Sequence, residues 1–146
     1  MHWQRTFLQP MLANFDAPSR EECVAARNVS NTPQQALTLL NDPTFLEASR
    51  VFATRMLAAP AKSDEERIQM AFGRAVARPA KGKETASLLK FLVEQREHYT
   101  KDADESAKLI KIGNAPEPKI SNKAELAAWT QVCRVILNLN ETITRY

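Results

Sequence analysis

The sequence predicts an all-α fold, a compact bundle of about five to six helices behind an irregular N-terminal segment. Three observations carry this expectation. Only three glycines occur in 146 residues, where average usage of about 7% would give roughly ten. Short polar residues followed three positions later by a carboxylate or amide recur along the chain, and that pairing is how helix N-termini satisfy their orphan backbone N–H groups. Between these starts, apolar side chains return at helical spacing and supply each segment with a stripe to bury.

Taken in order, residues 1–18 are dense in apolar and aromatic side chains from Trp3 to Phe15 but lack a clean period, and they read as an irregular or docking segment. A main helical body follows over 19–113. Its starts are Ser19-Arg20-Glu21-Glu22, Thr32-Pro33-Gln34-Gln35, Asp42-Pro43, Ser63-Asp64-Glu65-Glu66 and Asp102-Ala103-Asp104-Glu105. The prolines suit a first helical position, where the missing N–H costs nothing, and the carboxylates suit the positive end of the helix dipole. Phe45, Ala48, Phe52 and Met56 form one stripe, Ile68, Phe72 and Val76 a second, and Leu88, Leu89, Leu92 and Tyr99 a longer third.

Arg78-Pro79 stops the second of these helices, because the residue before proline is pushed out of the α region. Gly82 reads as part of the turn that follows, Gly113 as a helix C-cap, and Gly73 as the mark of a close helix crossing inside a stripe. Residues 114–121, with Pro116 and Pro118, read as an extended linker. A C-terminal helix then spans 122–141, capped by Asn122 with Glu125 and buried along Leu126, Trp129, Cys133, Ile136 and Leu137. The whole, 1–146, is expected to be one helical domain, a length at which a fold hides roughly two thirds of its extended-chain surface.

Composition removes several chemistries. Twenty basic and seventeen acidic side chains give a net charge of +3 and are interspersed, which describes a solvated surface and not a polyanion-binding tail. Nucleic acid is therefore not an expected partner. No apolar run approaches the roughly 18 residues of a membrane span, and the first residues have no signal-peptide core. Covalent haem needs C-x-x-C-H, and a zinc site needs about four closely spaced N or S ligands. Two cysteines, Cys23 and Cys133, and two histidines meet neither requirement, so no cofactor or metal is expected in this chain. Cys133 lies on a buried stripe and reads as a small hydrophobe, although a long-loop disulfide to Cys23 stays open. His98 falls in the last turn of a helix, where an imidazolium is favourable. No Gly-x-Ser-x-Gly elbow occurs, and no catalytic residue is assigned.

The stretch 14–43 concentrates polar side chains beside apolar ones, and the candidate site residues lie here: Asp16, Arg20, Arg27, Asn31, Thr32, Gln35, Asn41 and Asp42. Two readings stay open. In one, Asp16, Thr32 and Asp42 are caps, Arg20 or Arg27 neutralises Asp16, and the amides tie down loop backbone. In the other, the same groups line a cleft for a ligand or a partner domain.

These residues also carry a resemblance. Phe15-Asp16-Ala17-Pro18-Ser19-Arg20-Glu21-Glu22-Cys23, then Ser30-Asn31-Thr32-Pro33-Gln34-Gln35-Ala36-Leu37 and Leu39-Leu40-Asn41-Asp42-Pro43-Thr44-Phe45, resemble the C-terminal domain of unknown function of large, exported, planctomycete-type bacterial proteins that commonly also carry cytochrome-c-like domains. The resemblance continues through Ala77-Arg78-Pro79 and Glu125-Leu126-Ala127-Ala128-Trp129 to Leu137-Asn138-Leu139-Asn140-Glu141. It implies that the chain is the terminal part of a longer exported protein, periplasmic or on the cell surface. It also implies that haem resides in upstream domains, and that those domains or an envelope protein are the partners. Where such relatives often have His between Leu and Pro, this chain has Gln9. The resemblance thus implies a helical structural or interaction domain; the alternative is a subsite of a carbohydrate-processing enzyme completed upstream.

Overall fold

A computed structural model describes residues 8–19, 24–26, 28, 30, 32–118 and 120–143. Among them are eight helices and no strand: α1 Pro10–Asn14, α2 Pro33–Asn41, α3 Pro43–Ala58, α4 Asp64–Val76, α5 Gly82–Lys101, α6 Ala103–Ile110, α7 Lys123–Leu137 and α8 Asn140–Ile143. The all-α expectation holds, and the larger number comes from the short α1 and α8.

The capping signals translate directly into geometry. Thr32 and Gln35 form a reciprocal capping box, Asp42 accepts from the Thr44 N–H, Ser63 from Glu66, Asp102 from Glu105 and Asn122 from Glu125. The start expected at Ser19 runs into residues 20–23, outside the described ones, and Val24, Ala25, Ala26 and Asn28 beyond it are not helical.

α7 is the centre of the bundle. It packs against α3, α5, α6 and α4, and Leu126, Ala127, Ala128, Trp129, Val132, Cys133 and Ile136 are all buried along it. Such burial on nearly every side is the mark of a helix enclosed by others. Met56, Ile68, Phe72, Leu92 and Ile110 meet it from the surrounding helices. The C-terminal helix ends at Leu137, earlier than expected, because Asn138 donates back to Arg134 and Val135 and the Thr142 hydroxyl takes the Ile136 carbonyl at 2.9 Å. The chain then turns into α8.

The three glycines correct their sequence reading. Gly82 is the first residue of α5 and not part of a turn. Gly73 is exposed, and a Cβ built there meets nothing within 4 Å, so it marks no helix crossing. Gly113 lies beyond the C-cap of α6, which is Lys111. Its φ is +102°, and a Cβ would collide with Glu47 Oε2 and come within 2.7 Å of Glu47 Cβ. The missing side chain makes room for a clasp from α3. Glu47 accepts the Asn114 N–H at 2.7 Å and the Ala115 N–H at 2.9 Å, while Arg50 donates to the carbonyls of Ala115 (2.9 Å) and Pro116 (3.2 Å). Arg50 is 2% exposed, and these backbone acceptors are what make its burial tolerable.

A second polar junction ties the opposite turns together. Arg96 on α5 binds both oxygens of Glu125 (2.8 and 2.5 Å) and Asp64 Oδ2 at 2.6 Å. Trp129 Nε1 donates to the same Glu125 at 2.9 Å, and Arg67 donates to Asp64 at 3.2 Å with its guanidinium 5.5 Å from the Trp129 ring centroid. Helices α4, α5 and α7 are thereby held in register. The Arg96 guanidinium, aided by Arg67 and opposed by partial burial, holds the Asp64 carboxyl below its ordinary value.

Candidate functional site

The polar residues of the N-terminal layer owe their positions to local backbone chemistry. α1 ends in a Schellman arrangement: the Asp16 N–H donates to the Ala13 carbonyl and the Ala17 N–H to Leu12, with Asp16 at φ +57° in the left-handed region. Glycine usually takes that position, and aspartate is among the few other residues that tolerate it. The turn brings the Asp16 carboxylate to Ser30, whose N–H donates at 2.7 Å and whose hydroxyl lies 2.7 and 2.8 Å from the two oxygens.

Gln35 completes the cluster from the first turn of α2. Its Nε2 donates to Asp16 Oδ2 at 3.3 Å and to Ser30 Oγ at 3.1 Å, and its Oε1 accepts the Thr32 N–H at 3.1 Å. The Thr32 hydroxyl in turn accepts the Gln35 N–H at 3.2 Å. Gln35 is buried, and every polar atom of its amide is used. One step outward, Asn14 donates to the Thr38 hydroxyl at 3.2 Å, and Phe15 meets Phe45 with ring centroids 6.0 Å apart.

Of the eight candidate residues, the structure brings Asp16, Thr32 and Gln35 together. Asn41 and Asp42 stand apart from them. The Asn41 amide folds back on the Leu37 carbonyl at 2.9 Å, and Asp42 caps α3 through the Thr44 N–H at 2.8 Å. Arg20, Arg27 and Asn31 lie outside the described residues, as does Cys23. Ser30 is not among the sequence candidates, since a lone serine in a loop gives no sequence signal that it faces a carboxylate fourteen positions earlier.

A cavity of about 350 Å³ opens beside this cluster, bordered by Asp16, Pro18, Ser19, Val24 and Asn28. Its described lining carries the Asp16 carboxylate, whose partners include a hydroxyl, a backbone amide and a carboxamide. Among the described residues no group of three or more His, Cys, Asp or Glu side chains could hold a metal ion, and no helix is long and apolar enough to cross a membrane.

Several other titratable groups tie elements of the fold together. Arg78 binds Glu84 through both oxygens (2.8 and 2.9 Å) and Glu141 at 2.7 and 2.9 Å, fastening the start of α5 to α8. That pairing, together with the Lys81 N–H, lowers the Glu84 carboxyl to about 2. His98 sits in the last turn of α5 and pairs with Glu105 at 2.8 Å. Burial pushes the Cys133 thiol up to about 12, so it is neutral and unreactive at physiological pH.

The class defined by this fold and this cluster is a helical domain whose polar groups secure loops and helix ends. The chain belongs to the DUF1553 family (PSD1), described as a protein of unknown function, whose profile matches residues 1–92. That match takes in the whole N-terminal layer and ends within α5. The resemblance carried by Glu125–Trp129 and Leu137–Glu141 lies beyond it. No curated protein and no solved structure shows significant similarity to the chain.

Proposed function

We propose that this chain is a non-catalytic helical interaction domain that docks against upstream domains of a larger exported, cytochrome-c-associated bacterial protein, or against an envelope protein, through its N-terminal layer. In this reading haem is carried upstream and the chain itself supplies a scaffold. One observation carries the proposal. Asp16, Ser30, Thr32 and Gln35 are turned to one another, whereas Val24 and Leu37 stand 55% and 57% exposed. A cluster that spends its hydrogen bonds on its own loops, beside large apolar side chains left in water, is suited to a partner surface.

The cavity beside Asp16 favours one rival, a carbohydrate-binding or hydrolytic subsite completed by residues elsewhere. Asp16→Asn separates the two. The substitution keeps the shape and the left-handed backbone but leaves Ser30 and Gln35 donors facing an amide, at a cost of about 1–3 kcal/mol. At this size each kcal/mol is worth roughly 2–4 °C. A fall of several degrees with partner binding weakened in proportion supports the scaffold. Unchanged melting with lost activity of the full-length protein supports the subsite.

A further inference from the structure

We propose a second site: a groove between α5 and α7 that binds a small amphipathic carboxylate with an apolar acyl tail. The groove has a volume of about 300 Å³. Phe72 and Ile136 form its buried floor, and Leu88 and Leu139 border it. Its volume is about twice the roughly 150 Å³ of an enclosed apolar cavity that takes up benzene, but the groove is open to solvent on one side, with an apolar floor and a polar mouth.

The polar groups at its mouth select the head group. Both Glu84 oxygens are held by Arg78 and one of them also by the Lys81 N–H at 2.6 Å, so that carboxylate is not available to a ligand cation. The Ser87 hydroxyl donates to the Lys83 carbonyl at 2.9 Å. Lys83 also lines the groove and is exposed, and its ammonium makes no ion pair among the described residues. An apolar floor with one uncommitted cation at the rim matches an acyl chain ending in a carboxylate.

The extent of the apolar surface argues against a protein as occupant. Of the large exposed hydrophobic residues, Val24 and Leu37 lie in the N-terminal layer and Val93 is not part of the groove lining; Val135, 37% exposed, is the one at the groove. A stable protein interface needs roughly 800 Å² on each side, which one concave slot does not supply.

The test is a titration of the chain, with its Ile, Leu and Val methyl groups isotopically labelled, with sodium decanoate, decylamine and decanol. Decanoate is expected to shift the methyl signals of Leu88, Val135, Ile136 and Leu139 saturably and to bind more tightly than decylamine. Lys83→Met should weaken decanoate by roughly two- to fivefold, the share of an exposed ion pair, while leaving decanol unchanged. Ser87→Trp, at an exposed position, should fill the groove and abolish all three responses without altering the melting temperature. The proposal is overturned if decanoate leaves those methyls unmoved, if its shifts fall on the N-terminal layer instead, or if Lys83→Met leaves the preference over decylamine intact.

Discussion

The same chemical change, glycine to alanine, should have opposite effects at Gly113 and Gly73. At Gly113 the backbone sits at φ +102°, outside the range that alanine adopts readily, and the strain alone is worth about 1–2 kcal/mol. The new methyl would also lie 2.7 Å from Glu47 Cβ and Cδ. That contact lies close to the α3 backbone and cannot be relieved by swinging the carboxylate alone. Glu47 must withdraw, and the Asn114 and Ala115 N–H groups lose a charged acceptor. Such bonds contribute about 1.5 kcal/mol each at the low end, and solvent at this edge replaces part of that loss. The sum is a destabilisation of about 2–4 kcal/mol. At Gly73, inside α4 with open space around the Cβ position, alanine removes backbone entropy from the unfolded chain and stabilises by about 0.5–1 kcal/mol. Urea denaturation of the two variants beside the parent reads both numbers. A neutral Gly113→Ala would refute the clasp between Glu47 and the 113–116 turn, and a destabilising Gly73→Ala would refute the open space around Gly73.

Two further outcomes follow from the buried and paired groups. Cys133 should resist alkylation at pH 8 in the folded chain and react at once in denaturant, with peptide mapping used to distinguish it from Cys23; labelling of the native protein at Cys133 would contradict its burial among the α7 neighbours. Acid should unfold the protein in a defined window. Asp64 and Glu84 have folded values below their ordinary 3.8 and 4.5, so their pairing stabilises the fold above those ordinary values, and each contribution is lost as pH falls through the folded value, about 2 for Glu84. Arg96→Met leaves half-buried Asp64 with Arg67 and Glu125 with Trp129 Nε1, should cost about 1–2 kcal/mol near neutral pH, and should flatten the Asp64 share of the acid transition; an unchanged profile would mean the pair contributes nothing.

Much of the helical layout is legible in the residues because capping is local chemistry. Thr32, Asp42, Ser63, Asp102 and Asn122 each announce a helix whose first turn lies within three residues of the signal. What the sequence conceals is non-local. Glu125 looks like the return half of a capping box, yet its carboxylate is drawn 29 positions away to Arg96. Gly113 looks like a helix cap, yet its role is set by Glu47, 66 positions earlier in the chain. In the candidate site, Thr32 and Gln35 were readable as a pair, while the approach of Asp16 depends on a left-handed turn that no glycine marks. Asn41 and Asp42 share the composition of the cluster without sharing its place, because each satisfies the backbone nearest to it.

The claim that the N-terminal layer is a docking surface meets its most direct test in the affinity of this chain for the separately produced upstream region proposed above, measured by calorimetry with the parent and with Val24→Glu/Leu37→Glu. Both positions are solvent-exposed, so charge there should move the melting temperature by no more than about 2–4 °C in total, since surface changes usually stay within about 0.5 kcal/mol each. Saturable binding by the parent, lost in the double variant at unchanged stability, is the predicted result. Absence of binding by the parent, or equal binding by both, would contradict the account.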